Sequence, residues 1–305
     1  MKSNLFKPVK LYGRPVQCAK HPVARLLVGL LAYGICIYMM NRYGYDVLAN
    51  VVRMTGMKLK TPYAAAFLQL LGVFVVMLVV CALIRQIHIF YRLRRSCFYG
   101  IFLGGYMFVY SVVVIALELI NIEGFQSRDT ILFSIFYFIL VGVTEELVFR
   151  GITADLLLKI FIRKGTRMEK TTPRNATSAE MQEFNPVPAV IISGVIFSLS
   201  HAMNFRDADV SGVMIQIIGT FIMGMFLTAV YYRSGNLYSV IFLHIVNDIA
   251  AAFPVTVLKS EANVADIISG YNMVDLLWQI PYVVILVYLL RPAKMKETEM
   301  LWTDV

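Results

Sequence analysis

Apolar residues run along this chain in stretches long enough to cross a bilayer, separated by short polar or basic segments. The runs fall at about 23–40, 63–84, 99–120, 130–162, 187–204, 210–232, 237–253 and 274–290. About 20 mainly apolar residues in a helix span the hydrocarbon core. The pattern therefore predicts an all-α, polytopic membrane protein of about eight transmembrane helices. Pro281 lies inside the last run and is expected to kink it, which a helix bundle tolerates. The plan that follows is a cytoplasmic N-terminal segment over 1–22, one transmembrane helical domain over 23–290 and a cytoplasmic tail over 291–305. The basic lead up to Lys20 passes into a full-length apolar run with no small-residue cleavage site after it, so it reads as a retained first span. The stretch 163–186 reads as the sizeable polar loop after the fourth run.

Composition agrees. Of 305 residues, 59% are hydrophobic and 15% are charged, against about 25% charged in soluble domains. The net charge of +9 does not point to nucleic acid, because Lys and Arg cluster beside the apolar runs, as in cytoplasmic loops facing anionic headgroups. Their distribution favours both termini inside, in a multi-pass protein of the cell membrane. The compact chain reads as bacterial or archaeal. Cys18, Cys36, Cys81 and Cys97 form neither a CxxC pair nor a secreted disulfide pattern and are expected to be free thiols.

Two adjacent glutamates interrupt the fourth run, in Thr144-Glu145-Glu146-Leu147-Val148-Phe149-Arg150. Ionisable side chains within a span mark function by default. Glu146 and Arg150 are four apart and can pair on one helix face, which reads as a buried ion pair fixing the helix. Glu145 faces about 100° away and has Phe149 at i+4, so it is the better candidate for proton transfer. Of four histidines, His21 and His88 sit in basic flanks and call for no special reading. His201 and His244 lie inside apolar runs. A single such histidine is as often an interhelical hydrogen-bond partner. Phe197 stands four residues before His201 and can pack on its ring. Asp248 stands four after His244 and can orient it, with Asn247 on another face. Counted along the helices, Glu145 lies about 22 Å from one membrane face and His201 about 21 Å from the other, which leaves their meeting level open.

The three patterns E-E-x-x-x-R, F-x-x-x-H and H-x-x-x-D together resemble the CPBP family, the CAAX proteases and bacteriocin-processing (ABI) enzymes, over about 130–253. The resemblance implies an eight-helix, glutamate-dependent intramembrane endopeptidase acting on a membrane-associated peptide or protein, with no cofactor. It implies that Glu145 and His201 activate a water and that His244 and Asp248 stabilise the oxyanion. Glu146 and Arg150 are implied to be structural, and Phe197 and Asn247 are read as supports of the site. Asp248 departs from the asparagine of the family's type member. An ionised aspartate donates no hydrogen bond, so Asp248 is expected to act by orienting His244. Two alternatives remain at this level. One is a zinc peptidase using Glu145, His201 and His244. The other is a non-catalytic adaptor or bacteriocin-immunity protein that engages a membrane signalling partner.

Overall fold

The computed structural model describes residues 21–161 and 185–303, apart from 57 and 92. The N-terminal segment with Cys18, and the loop expected at 163–186 up to residue 184, lie outside the described residues.

Each of the eight apolar runs is helical. Helix α1 (Pro22–Thr55) starts on a proline in its first turn, where a missing N–H costs nothing, and ends at Gly56 in the left-handed conformation. It continues well past the predicted boundary at 40. Helix α2 (Pro62–Leu83) is capped by Thr61, whose Oγ1 accepts from the amide of Ala64 at 3.1 Å. Helices α3 (Cys97–Leu103) and α4 (Gly105–Glu118) are bent by 72° at Gly104. Helix α5 (Arg128–Glu146) passes into a π-helical segment, Leu147–Ala154, and the span continues to Phe161. Helix α6 (Val187–Ser200) ends in the 3-10 turn His201–Arg206. Helix α7 (Val210–Ser234) is closed by Gly235, and α8 (Leu237–Thr256) is capped by Asn236. The short α9 (Val264–Ser269), the 3-10 segment Met273–Gln279, α10 (Ile280–Leu289) and α11 (Pro292–Thr303) complete the order.

Among the described residues, six helices are long and apolar enough to cross a membrane, or seven with the bent pair. The eighth run, Met273–Leu289, is shorter. Pro281 does not kink it. The chain before Pro281 is 3-10, and the proline stands in the first turn of α10. No β-strand occurs among the described residues, and Cys36, Cys81 and Cys97 are free thiols.

Burial divides the bundle. Helix α1 turns large apolar side chains such as Leu31, Ile35 and Tyr38 outward, as lipid-facing surface requires. The π segment is buried throughout, with Phe197 packed on its Phe149 and Leu237 close to its Gly151.

Candidate active site

The site is assembled where α5, α6, α7 and α8 meet. Glycines set how closely two of these helix pairs approach. A Cβ on Gly142 would stand 2.6 Å from Ile245 Cγ1 and 3.3 Å from the Ile245 backbone nitrogen. The bare backbone of α5 therefore lies against α8 one residue from His244, a small-residue contact typical of membrane bundles. On the other side, Gly224 of α7 faces the backbone of Gly194 and the ring of Phe197.

Glu146 and Arg150 are fully buried, and the expected ion pair is present, with Arg150 Nη1 2.5 Å from Glu146 Oε1. The same Oε1 lies 2.7 Å from His244 Nδ1. Glu146 thus does more than fix its own helix: it holds the histidine of α8. Arg150 Nη2 donates to the Gly224 carbonyl at 3.4 Å, and its guanidinium lies 4.4 Å over the Phe197 ring.

Glu145 stands on the other side of His244. Its Oε2 is 3.7 Å from His244 Nε2, and Asp248 Oδ1 is 3.4 Å from the same nitrogen. The Glu145 and Asp248 side chains keep 20% and 19% of their surface accessible, against 0% for Glu146. Burial therefore separates the adjacent glutamates into a sealed carboxylate and an open one. Asp248 faces His244 as expected, but the shorter contact to that ring comes from Glu146.

His201 begins the 3-10 turn at the end of α6, with Nδ1 3.1 Å from the Phe197 carbonyl. A carbonyl oxygen only accepts, so Nδ1 carries the proton, and in the neutral ring Nε2 is left as an acceptor. Phe197 packs edge-on against His201 at 5.0 Å, as its spacing predicted. It also lies 5.7 Å from His244 and 5.0 Å from Phe149. One sealed phenyl ring thus separates two imidazoles and carries a guanidinium on its face. The span of α5 runs 34 residues, Arg128–Phe161, longer than a bilayer requires, so depth counted from one end of it carries little weight. Among the described residues no direct hydrogen bond joins Glu145 to His201. Asn247 points elsewhere, its Nδ2 3.7 Å from Met223 Sδ.

Among the described residues no three of His, Cys, Asp and Glu are placed to hold a metal ion. The set Glu145, His201 and His244 is therefore not assembled as a ligand shell.

A second buried polar cluster escaped the sequence reading. Asp155 contacts Lys159, Gln86, His88 and Tyr231. His88, read as a residue of a basic flank, is in fact buried. The available signal was Asp155 and Lys159, a four-residue pair inside the fourth apolar run.

Residues 127–250 match the family model described as Type II CAAX prenyl endopeptidase Rce1-like. The matched stretch contains all three patterns, from Glu145 to Asp248. No curated protein and no solved structure matches the chain. The CPBP resemblance is thereby shown over these residues. The match covers 124 of the 305 residues, in a chain whose apolar helices are consistent with a multi-pass membrane protein.

Proposed function

We propose that this chain is an intramembrane endopeptidase that hydrolyses a peptide bond of a membrane-associated peptide or protein with a water activated by Glu145 and His201. The observation that carries the reading is the division of the glutamate pair. Glu145 is open to the side where His244 Nε2 and Asp248 lie, while Glu146 is sealed behind the same ring. A general base must reach the proton it takes, and only the open carboxylate can meet a water.

In this reading a water lies between Glu145 and His201 Nε2. Glu145 takes its proton, and the oxygen adds to the scissile carbonyl carbon. The carbonyl oxygen becomes the oxyanion. In this reading His244 carries both ring protons: Nδ1–H donates to Glu146, and Nε2–H donates to that oxygen, in a water-poor site where such a contact is strong. Asp248 keeps the ring aimed. When the C–N bond breaks, the proton on Glu145 passes to the leaving amine. The basic flanks favour both termini on the cytoplasmic side.

The test is cleavage of a peptide library by purified protein in bicelles, with unmodified and prenylated CAAX-type peptides as separate arms. Cleavage by wild type that is lost in Glu145→Gln and in His201→Ala, both folded, supports the reading. Equal cleavage by Glu145→Gln rejects it.

A further inference from the structure

Nine residues beyond Glu146, toward the far end of the same span, lies a carboxylate that the proposed hydrolysis does not use. Asp155 is buried. Its Oδ2 lies 2.6 Å from Lys159 Nζ and 3.6 Å from His88 Nε2, and accepts from Gln86 Nε2 at 3.2 Å. Its Oδ1 accepts from the Tyr231 hydroxyl at 3.1 Å. Lys159 Nζ is also 2.7 Å from His88 Nε2, and His88 Nδ1 is 3.3 Å from the Arg85 carbonyl. Arg85 adopts φ 58°, a left-handed conformation rare for a non-glycine residue. That turn ends α2 and brings Gln86 and His88 inward. One carboxylate thus gathers side chains from its own helix, from the turn after α2 and from α7.

Between Glu146 and Asp155 the chain is π-helical, Leu147–Ala154, with all eight residues buried. A π turn closes i→i+5 hydrogen bonds, where an α turn closes i→i+4, and π segments are rare. Removing one residue of π register rotates one side of the helix against the other by about 100°. Glu145 and Glu146 differ in facing by that same angle. With Asp155 held, a one-residue change to α register would bring Leu147 into the sealed position and swing Glu146 toward the open edge. With Glu146 held, Asp155 would leave its partners. Glu146, just before the segment, is held by Arg150 and His244, and Asp155, just after it, is held by its own cluster.

We propose that the Asp155 cluster is a register anchor. It fixes which of the adjacent glutamates is sealed against Arg150 and His244 and which faces the open edge. Asp155 is therefore a positioning residue for hydrolysis by Glu145. The hydrolytic half of this statement rests on the function proposed above, whereas the geometric half does not.

The test reads His244 directly. Full-length protein carrying ¹⁵N-histidine is measured by NMR in micelles, with the His244 ring signals identified by their loss in His244→Gln. The variants are Asp155→Ala, Asp155→Asn and Tyr231→Phe, the last removing a single hydroxyl. Folding of each is checked by thermal unfolding. The expected result is that His244 ring signals shift or double in the Asp155 variants and move in the same sense, by less, in Tyr231→Phe. Peptide cleavage falls by about 10²-fold in kcat for Asp155→Ala, with little change in KM, as misplacement far from the chemistry can produce. A merely structural role lowers the melting temperature and leaves the His244 signals of the folded protein unchanged, and that result overturns the proposal. If Asp155→Ala fails to fold, Asp155→Asn and Tyr231→Phe decide, and unmoved His244 signals in both overturn it. A wild type that cleaves no peptide rejects the hydrolytic reading while the NMR result still decides the anchor.

Discussion

Replacing Arg150 with methionine tests how the sealed half of the site is held together. The side chains of Arg150 and Glu146 are wholly inaccessible and 2.5 Å apart. Methionine fills much of the same volume and carries no charge. Removing one partner of a buried ion pair costs about 3–5 kcal/mol, because the other charge is left uncompensated. Here His244 Nδ1 remains 2.7 Å from Glu146, which places the cost near the lower figure. Losing the guanidinium over the Phe197 ring adds about 0.5–2 kcal/mol. The expected total is about 4 kcal/mol, or roughly three orders of magnitude in the unfolding equilibrium constant. Equilibrium unfolding in mixed micelles measures it. Adding Glu146→Gln removes the orphaned charge, and the glutamine oxygen can still accept from His244 Nδ1. The double variant should therefore recover about 2 kcal/mol, since replacing both members of a buried pair costs less than removing one. A loss under about 1 kcal/mol in Arg150→Met, or a double variant no more stable than the single, refutes the account of Glu146 as a buried carboxylate held by Arg150 and His244.

Three further outcomes follow from the same geometry. Glu145→Gln should lower the cleavage rate by about 10²–10⁴-fold, the usual contribution of a positioned general base. Its melting temperature should stay within error, because Glu145 sits at the open edge and its contact with His244 Nε2 is long, at 3.7 Å; a matching loss of stability would make it structural. Asp248→Asn keeps the shape and drops the charge 3.4 Å from His244 Nε2. A charge-assisted contact is worth about 1 kcal/mol more than a neutral one, so cleavage should slow about five- to tenfold, and an unchanged rate removes Asp248 from the machinery. Gly142→Val places a branched side chain where even a Cβ would stand 2.6 Å from Ile245. Overpacking of this kind costs about 1–3 kcal/mol and should separate Glu146 from His244, abolishing cleavage in protein that still folds. Retained cleavage would show that α5 and α8 need not approach so closely.

What the sequence disclosed depended on where each contact runs. The membrane spans were legible because hydrocarbon demands uninterrupted apolar runs. Pairs within one helix were legible because four-residue spacing places side chains on one face: Glu146 with Arg150, Phe197 with His201 and His244 with Asp248 all touch. Contacts between helices were not. Nothing in the spacing along α5 says that Glu146 reaches across to Nδ1 of His244, so Glu146 read as purely structural. Pro281 read as a kink because the 3-10 segment before it has no distinct apolar signature. The π segment left no trace in the pattern either, since it turns no polar face to water. His88 looked like one more basic-flank residue, and only the left-handed turn at Arg85 carries it inward.

Sealing also explains why the site needs two glutamates. A lone carboxylate beside His244 would have to orient the ring and accept a proton, and each task disturbs the other. Once it accepts a proton, it no longer holds the imidazole as a charged acceptor. In the proposed reaction the tasks fall to neighbouring residues with different surroundings. Glu146 is locked between Arg150 Nη1 and His244 Nδ1 and has no accessible surface. Glu145, about 100° around the helix, keeps an accessible face. In the proposed reading, with protons on both nitrogens of His244, the side chains of Glu145, Glu146, Asp248, Arg150 and His244 carry three negative and two positive charges. In the proposed reaction, uptake of the water's proton by Glu145 makes these five side chains neutral as the oxyanion forms. Negative charge then moves from the glutamate to the substrate oxygen beside His244 Nε2. The charge change within the low-dielectric site is thus a short displacement, which costs far less there than creating a new unpaired charge.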